Sequence, residues 1–130
     1  MAWHFAPGVP VYLQIVSRIR ADILCGVYRP DEQIPSVRQL ACEAGVNPNT
    51  MQRAFTELES EQLFVTRGTL GRFITTDTEA LEHARTILRR ETVTRILAEA
   101  KTVGISPDQL IADIRACTEG DDVPPSQRKE

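Results

Sequence analysis

The chain has few of the residues that covalent or metal chemistry needs. Among its 130 residues are three cysteines and two histidines. Cys25, Cys42 and Cys117 lie far apart, and no Cys-x-x-Cys or Cys/His pair has the spacing of a metal-ligand set. This excludes a zinc finger and leaves each cysteine as a small buried hydrophobe in a reducing cytoplasm. His4 and His83 have no evident catalytic neighbours, and there is neither a phosphate-cradling glycine loop nor a nucleophile with a base at useful spacing. The chain therefore does not read as an enzyme, and no cofactor is implied. Long apolar runs are missing too, including the apolar core of a signal peptide, so no membrane partner is expected and the location reads as cytoplasmic. No internal repeat is visible. Net positive charge is also lacking: the formal balance is −3.

What is present centres on residues 39–58. Leu40, Ala41 and Ala44 fall at helical spacing, as do Met51, Ala54, Phe55 and Leu58. Gly45 between them supplies the sharp reversal that a residue without Cβ makes easily. Asn47 is a good N-cap and Pro48 a good first helical residue. Upstream, Ser36 and Gln39 form a capping box for the first helix. The pattern is a helix-turn-helix whose second helix suits a DNA major groove. With its apolar positions inward, that helix turns Asn49, Arg53 and Thr56 outward, with Gln52 at the flank. Asn47, Asn49 and Thr50 line its first turn, where free N–H groups and a partial positive charge are expected. Arg38 lies in the first turn of the preceding helix, where a phosphate backbone would pass; otherwise it is an ordinary exposed arginine.

Charge distribution supports this surface. Residues 1–75 carry seven arginines and seven acids, so the whole negative excess lies after residue 75. Between Ala44 and Thr76 the only acids are Glu57, Glu59 and Glu61, late on the second helix, while Arg53, Arg67 and Arg72 stand clear of them in sequence. The contact surface is expected to be locally basic although the protein is not.

Around this unit the rest of the fold can be laid out. Met1 to Pro10 reads as an arm whose aromatics, Trp3 and Phe5, pack on the body. A helix from Val11 to about Gly26 carries the stripe Tyr12, Ile15, Val16, Ile19 and Ile23. A connector with Pro30 and Pro35 follows, from which Tyr28 and Ile34 can plug the core. After the helix-turn-helix, residues 63–67 and 72–75 read as strands joined by a turn at Gly68-Thr69-Leu70-Gly71. A basic hairpin in this place is a wing, with Arg67, Thr69 and Arg72 reaching the backbone or minor groove.

The run Pro35-Ser36-Val37-Arg38-Gln39-Leu40-Ala41, then Gly45-Val46-Asn47-Pro48-Asn49-Thr50-Met51-Gln52-Arg53-Ala54, then Leu58 and Gly71-Arg72-Phe73, resembles the GntR family of bacterial winged-helix transcription regulators. Pro10-Val11-Tyr12-Leu13-Gln14-Ile15 and Asn47-Pro48-Asn49-Thr50 look like its YtrA subfamily. The resemblance covers about residues 9–75. It implies a homodimer on a double-stranded DNA operator, usually a repressor, often of an operon encoding an ABC transporter. It also implies DNA contacts from Arg38, Asn47, Asn49, Thr50, Gln52, Arg53, Arg67 and Gly68. Two departures stand out. Pro30 is followed by Asp31 where the family commonly has glycine, and the wing reads Arg67-Gly68-Thr69-Leu70-Gly71-Arg72-Phe73 instead of Arg-Arg-Gly-Lys-Gly-Thr-Phe.

From Asp77 the character changes. A long helix is expected to about Val103, with Leu81, Ala84, Leu88, Val93, Ile96, Leu97 and Ala100 as its stripe. Gly104 stops it, and Ser106 and Gln109 cap a second helix to about Cys117, with Leu110, Ile111, Ile114 and Cys117 inward. Two amphipathic helices need an apolar partner, and a second subunit supplies one; the alternative is folding back on their own domain.

The expected fold is thus mainly α with a small β-hairpin: a winged helix-turn-helix DNA-binding domain plus a short C-terminal helical dimerisation segment. Its parts are residues 1–76, a two-helix dimerisation region at 77–118, and a disordered tail at 119–130. The expected DNA-binding set is Ser36, Arg38, Asn47, Pro48, Asn49, Thr50, Gln52, Arg53, Arg67, Gly68, Thr69 and Arg72. The expected dimer contacts are Leu81, Ala84, Leu88, Val93, Ile96, Leu97, Leu110 and Ile114. The sequence names no small-molecule effector. A protein-interaction module that reuses the winged fold without DNA is the rival.

Overall fold

The structure, a computed structural model, describes residues 2–119; of the tail expected at 119–130 only Glu119 is described, as the last residue of a helix, and 120–130 lie outside the described residues. In chain order the elements are α1 (Val11–Leu24), α2 (Val37–Ala44), α3 (Pro48–Ser60), β1 (Phe64–Thr66), a single 3₁₀ turn (Gly68–Leu70), β2 (Arg72–Ile74), α4 (Thr78–Thr102) and α5 (Pro107–Glu119).

The first compact unit is organised by α3. Met51, Ala54, Phe55 and Leu58 are fully buried, as the 3.6-residue period requires. α1 packs across them with Ile15, Val16, Ile19 and Ile23, and α2 adds Leu40, Ala41 and Ala44. The Phe55 and Phe64 rings meet edge to face, centroids 5.0 Å apart, a geometry worth about 0.5–1.5 kcal/mol beyond area burial. Among the described residues one charged side chain, Arg20, enters this interior. Arg20, 5% exposed, donates from Nε and Nη2 to the two carboxylate oxygens of Glu61 at 3.1 and 2.7 Å. Such a fork neutralises a guanidinium that α1's stripe carries inward.

The hairpin is antiparallel, with Phe64 opposite Ile74, Val65 opposite Phe73 and Thr66 opposite Arg72. Phe64 and Ile74 turn into the core. Two strands alone are marginal, and a third partner steadies them. The connector after α1 runs along β2: Asp31 N–H donates to the Ile74 carbonyl (2.8 Å), Ile74 N–H to that of Glu32 (2.9 Å) and Ile34 N–H to that of Arg72 (3.0 Å). Ile34 plugs the core from this connector, and Tyr28, Trp3 and Phe5 pack against its margin. The wing is therefore held on both edges of β2.

Compactness divides the chain at Arg89–Arg90, inside α4, and not at residue 76. The reason is that the start of α4 belongs to the winged core: Ala84 is buried in it and Leu81 packs against it. These two residues, grouped by sequence with the dimer stripe, are taken up within the chain.

The second unit holds the rest of α4 and α5. Gly104, with φ 79°, ends the first helix, and Ile105 N–H donates back to the Ala100 carbonyl at 2.9 Å. Ser106 Oγ accepts the Gln109 N–H at 3.1 Å and starts the second. Val93, Ile96, Leu97, Leu110, Ile111 and Ile114 line an apolar groove between them of about 320 Å³. Ile111 and Ile114 are each 49% exposed.

The cysteines correct an expectation. All three are exposed thiols. Cys42 follows the inward Ala41 and so points outward, and Cys25 sits past the last turn of α1.

Candidate nucleic-acid interface

The helix-turn-helix is built from local rules. Ser36 Oγ accepts the Gln39 N–H at 3.1 Å and opens α2. Gly45 closes it in the left-handed conformation, φ 76°, and a Cβ there would stand 2.9 Å from the Ala2 methyl. Asn47 then caps α3, its Oδ1 accepting the Asn49 N–H at 2.7 Å, with Pro48 at the first position.

That cap changes what the start of α3 can offer. Pro48 has no N–H, the Asn49 N–H is held by Asn47 Oδ1, and the Thr50 N–H donates to the Asn47 carbonyl at 3.0 Å. The expected free N–H groups are satisfied locally, so recognition by this turn falls to side chains and the helix dipole. Asn47 keeps its amide NH₂ as a donor; Asn49 keeps its whole amide.

Asn49, Gln52 and Arg53 are exposed along one side of α3, and Thr50 is half-buried. Gln52 Nε2 donates to Thr56 Oγ1 at 3.3 Å. Arg53 lies over the Tyr12 ring, 3.9 Å from its centroid. Pro10, Val11 and Tyr12 of α1's start form a cleft with Asn49, Thr50 and Arg53. Tyr12, expected on the inward stripe, is thus the platform under an outward arginine of α3. Sequence periodicity alone did not single it out, because it occupies the end of an otherwise regular apolar stripe. Arg38 is exposed on α2.

The wing divides its arginines. Arg67 is exposed, stacked 4.3 Å over the Phe73 ring, and ion-paired with Asp31. Gly68, at φ 54°, and Thr69 sit exposed in the turn. Arg72 is a correction. It is half-buried, its Nε donates to Glu59 Oε2 at 2.7 Å, and its guanidinium lies 5.2 Å from the Phe55 ring. Strand parity is the cause: Arg72 shares a face with Ile74, which is fully buried. It fastens the wing to α3 and leaves the exposed set. The locally basic surface is correspondingly weaker than the sequence suggests. Asp31 and Glu59 neutralise two of its arginines, and among the described residues Arg38 and Arg53 have no carboxylate partner.

The profile of the bacterial regulatory proteins of the gntR family matches residues 11–74, the span from α1 to the end of the wing. The chain is 30% identical over 117 residues to the HTH-type transcriptional repressor YtrA of Bacillus subtilis, covering 87% of this chain and 90% of that one. It is similar in structure to a GntR family transcriptional regulator from Listeria monocytogenes, with a TM-score of 0.73, 32% identity, and coverage of 85% of this chain and 97% of that one. A smaller match, TM-score 0.52 and 26% identity, covers 58% of this chain and 95% of the AraR DNA-binding domain in complex with operator ORX1.

Proposed function

Since the chain belongs to the GntR family of bacterial regulatory proteins, we propose that it is a cytoplasmic transcriptional repressor of the YtrA type, acting as a homodimer on a pseudo-palindromic operator, possessing no catalytic activity of its own. Each subunit lays α3 in a major groove, with half-sites about one helical turn apart. Asn49, Gln52 and Arg53 face base edges; Thr50, Thr69 and Arg67 hold the sugar–phosphate backbone. Arg38 or Arg53 reads a guanine. A transporter operon is the proposed target, by analogy with the subfamily.

The observation that carries this reading is the exposed polar side of α3, formed by Asn49, Gln52 and Arg53, with Arg53 held over Tyr12 and Arg38 exposed on α2. The groove of Leu97, Ile111 and Ile114 supports pairing, because an uncovered apolar surface of this kind favours a second copy.

A mobility-shift assay at moderate salt, using the duplex upstream of the gene and a random duplex of equal length, tests it. The upstream duplex should be preferred. Arg38→Ala should lose about 1–3 kcal/mol of operator affinity, the worth of a bidentate arginine–guanine pair, with an unchanged melting temperature. Equal binding to both duplexes would refute a sequence-specific repressor, and binding to neither would leave the winged fold as a protein-interaction module.

A further inference from the structure

Asp31 holds an unusual position. Its φ is 70°, in the left-handed region that favours glycine, and only one other non-glycine residue among those described, Gln62, shares that sign. Aspartate tolerates this conformation better than most residues, at some cost. Its N–H is tied to the Ile74 carbonyl, which fixes the backbone against β2. Its carboxylate is 60% exposed, and its partner is the guanidinium of Arg67, across 36 residues of sequence. Arg67 is simultaneously stacked on Phe73. The wing's one outward arginine is therefore held over a ring of its own hairpin and neutralised by a residue of the connector.

We propose that Asp31 is a brake on DNA binding: its carboxylate occupies Arg67 as a phosphate would, so that the wing arginine engages the backbone only by giving up Asp31. This rests on the DNA-binding reading above. The physical basis is charge bookkeeping. Arg67 with Asp31 sums to zero, so the pair displaces no net counterion from DNA. Freed of its partner, Arg67 neutralises one phosphate and adds about 0.9 to the steepness of log affinity against log salt. The exchange is easy because an exposed ion pair is held weakly. Phe73 keeps the guanidinium in place once the carboxylate leaves, so orientation does not depend on Asp31. The adjacent Glu32 carries the same charge one residue away, and its Oε1 accepts the Arg29 N–H at 2.7 Å, while the Arg67 ion pair is with Asp31.

The test is fluorescence anisotropy across a salt series, on the duplex upstream of the gene and on a random duplex of equal length. The proteins are the wild-type chain, Asp31→Asn, Asp31→Gly and Glu32→Gln. Asp31→Asn and Asp31→Gly should bind both duplexes severalfold more tightly at low salt, with a slope steeper by about 0.9. Glu32→Gln should follow wild type. Asp31→Gly, which relieves the left-handed strain, guards against a folding defect in Asp31→Asn. A slope unchanged in both Asp31 variants overturns the proposal, as does weaker binding. Glu32→Gln matching Asp31→Asn also overturns it, because the effect would then be plain repulsion. Wild type binding the two duplexes alike refutes the repressor reading without touching the brake, since phosphate contacts ignore sequence.

Discussion

Asp22 is a residue whose charge the fold resists. Burial, opposed by the Arg18 charge, raises its carboxyl above the usual 3.8. A raised carboxyl means that the folded chain binds the proton more tightly than the unfolded chain. Stability therefore declines as pH rises from 3.8 through the higher folded value, and is flat beyond it. Asp22→Asn should remove that decline, as chemical denaturation at a series of pH values would show. Tyr28 is raised too, first by its own burial and then by the Asp22 charge; the same variant should shift its ionisation to lower pH in an alkaline absorbance titration. At this scale the sequence was legible where a rule is local and opaque where a partner is distant. Asn47, Pro48 and Gly45 announce their roles through their neighbours. Arg72 could have been placed inward by counting two residues back from Ile74, a parity its charge conceals. Nothing in the sequence reveals that Asp31 meets Arg67, or that Tyr12 underlies Arg53, because both contacts depend on how non-adjacent segments pack.

Among elements, the helices follow from periodicity and caps, and α1, α3, α4 and α5 fall within a few residues of their expected limits. The hairpin was legible as a turn between strands. The connector's pairing along β2 was not, since prolines and charges in residues 29–35 read as a loop. That pairing sets the tolerance of the wing. Gly71 has φ 108° and ψ −156°, a combination essentially reserved for glycine. A Cβ there would also stand 3.0 Å from Gln33 Nε2. Gly71→Ala should cost about 1–3 kcal/mol and loosen the wing from the connector. The expected signature is a lower melting temperature with helical circular dichroism intact, and faster amide exchange at Phe73 and Ile74.

For the whole molecule, composition misleads: a net charge of −3 describes the chain but not α3's outward side. The division inside α4 was hidden because its apolar positions share one period while serving two ends. Ala84 is consumed by the winged core, whereas Leu97, 39% exposed, and Ile114 line the uncovered groove. Replacing both Leu97 and Ile114 by glutamate should convert the proposed dimer to a monomer in sedimentation, and weaken operator binding steeply because one subunit grips one half-site. The melting transition of the winged unit should persist; an unchanged sedimentation coefficient would remove this groove from the seam.

The lack of room beside Gly45, where an added Cβ would meet Ala2, has a practical side. Trp3 N–H donates to the Ala44 carbonyl at 3.1 Å, so the leading residues are stitched to the reversal joining α2 and α3. An affinity tag fused ahead of them would emerge beside that bend and crowd the very helices under assay. Purification handles belong at the other terminus, and an untagged sample is the fair standard for measuring grip on DNA.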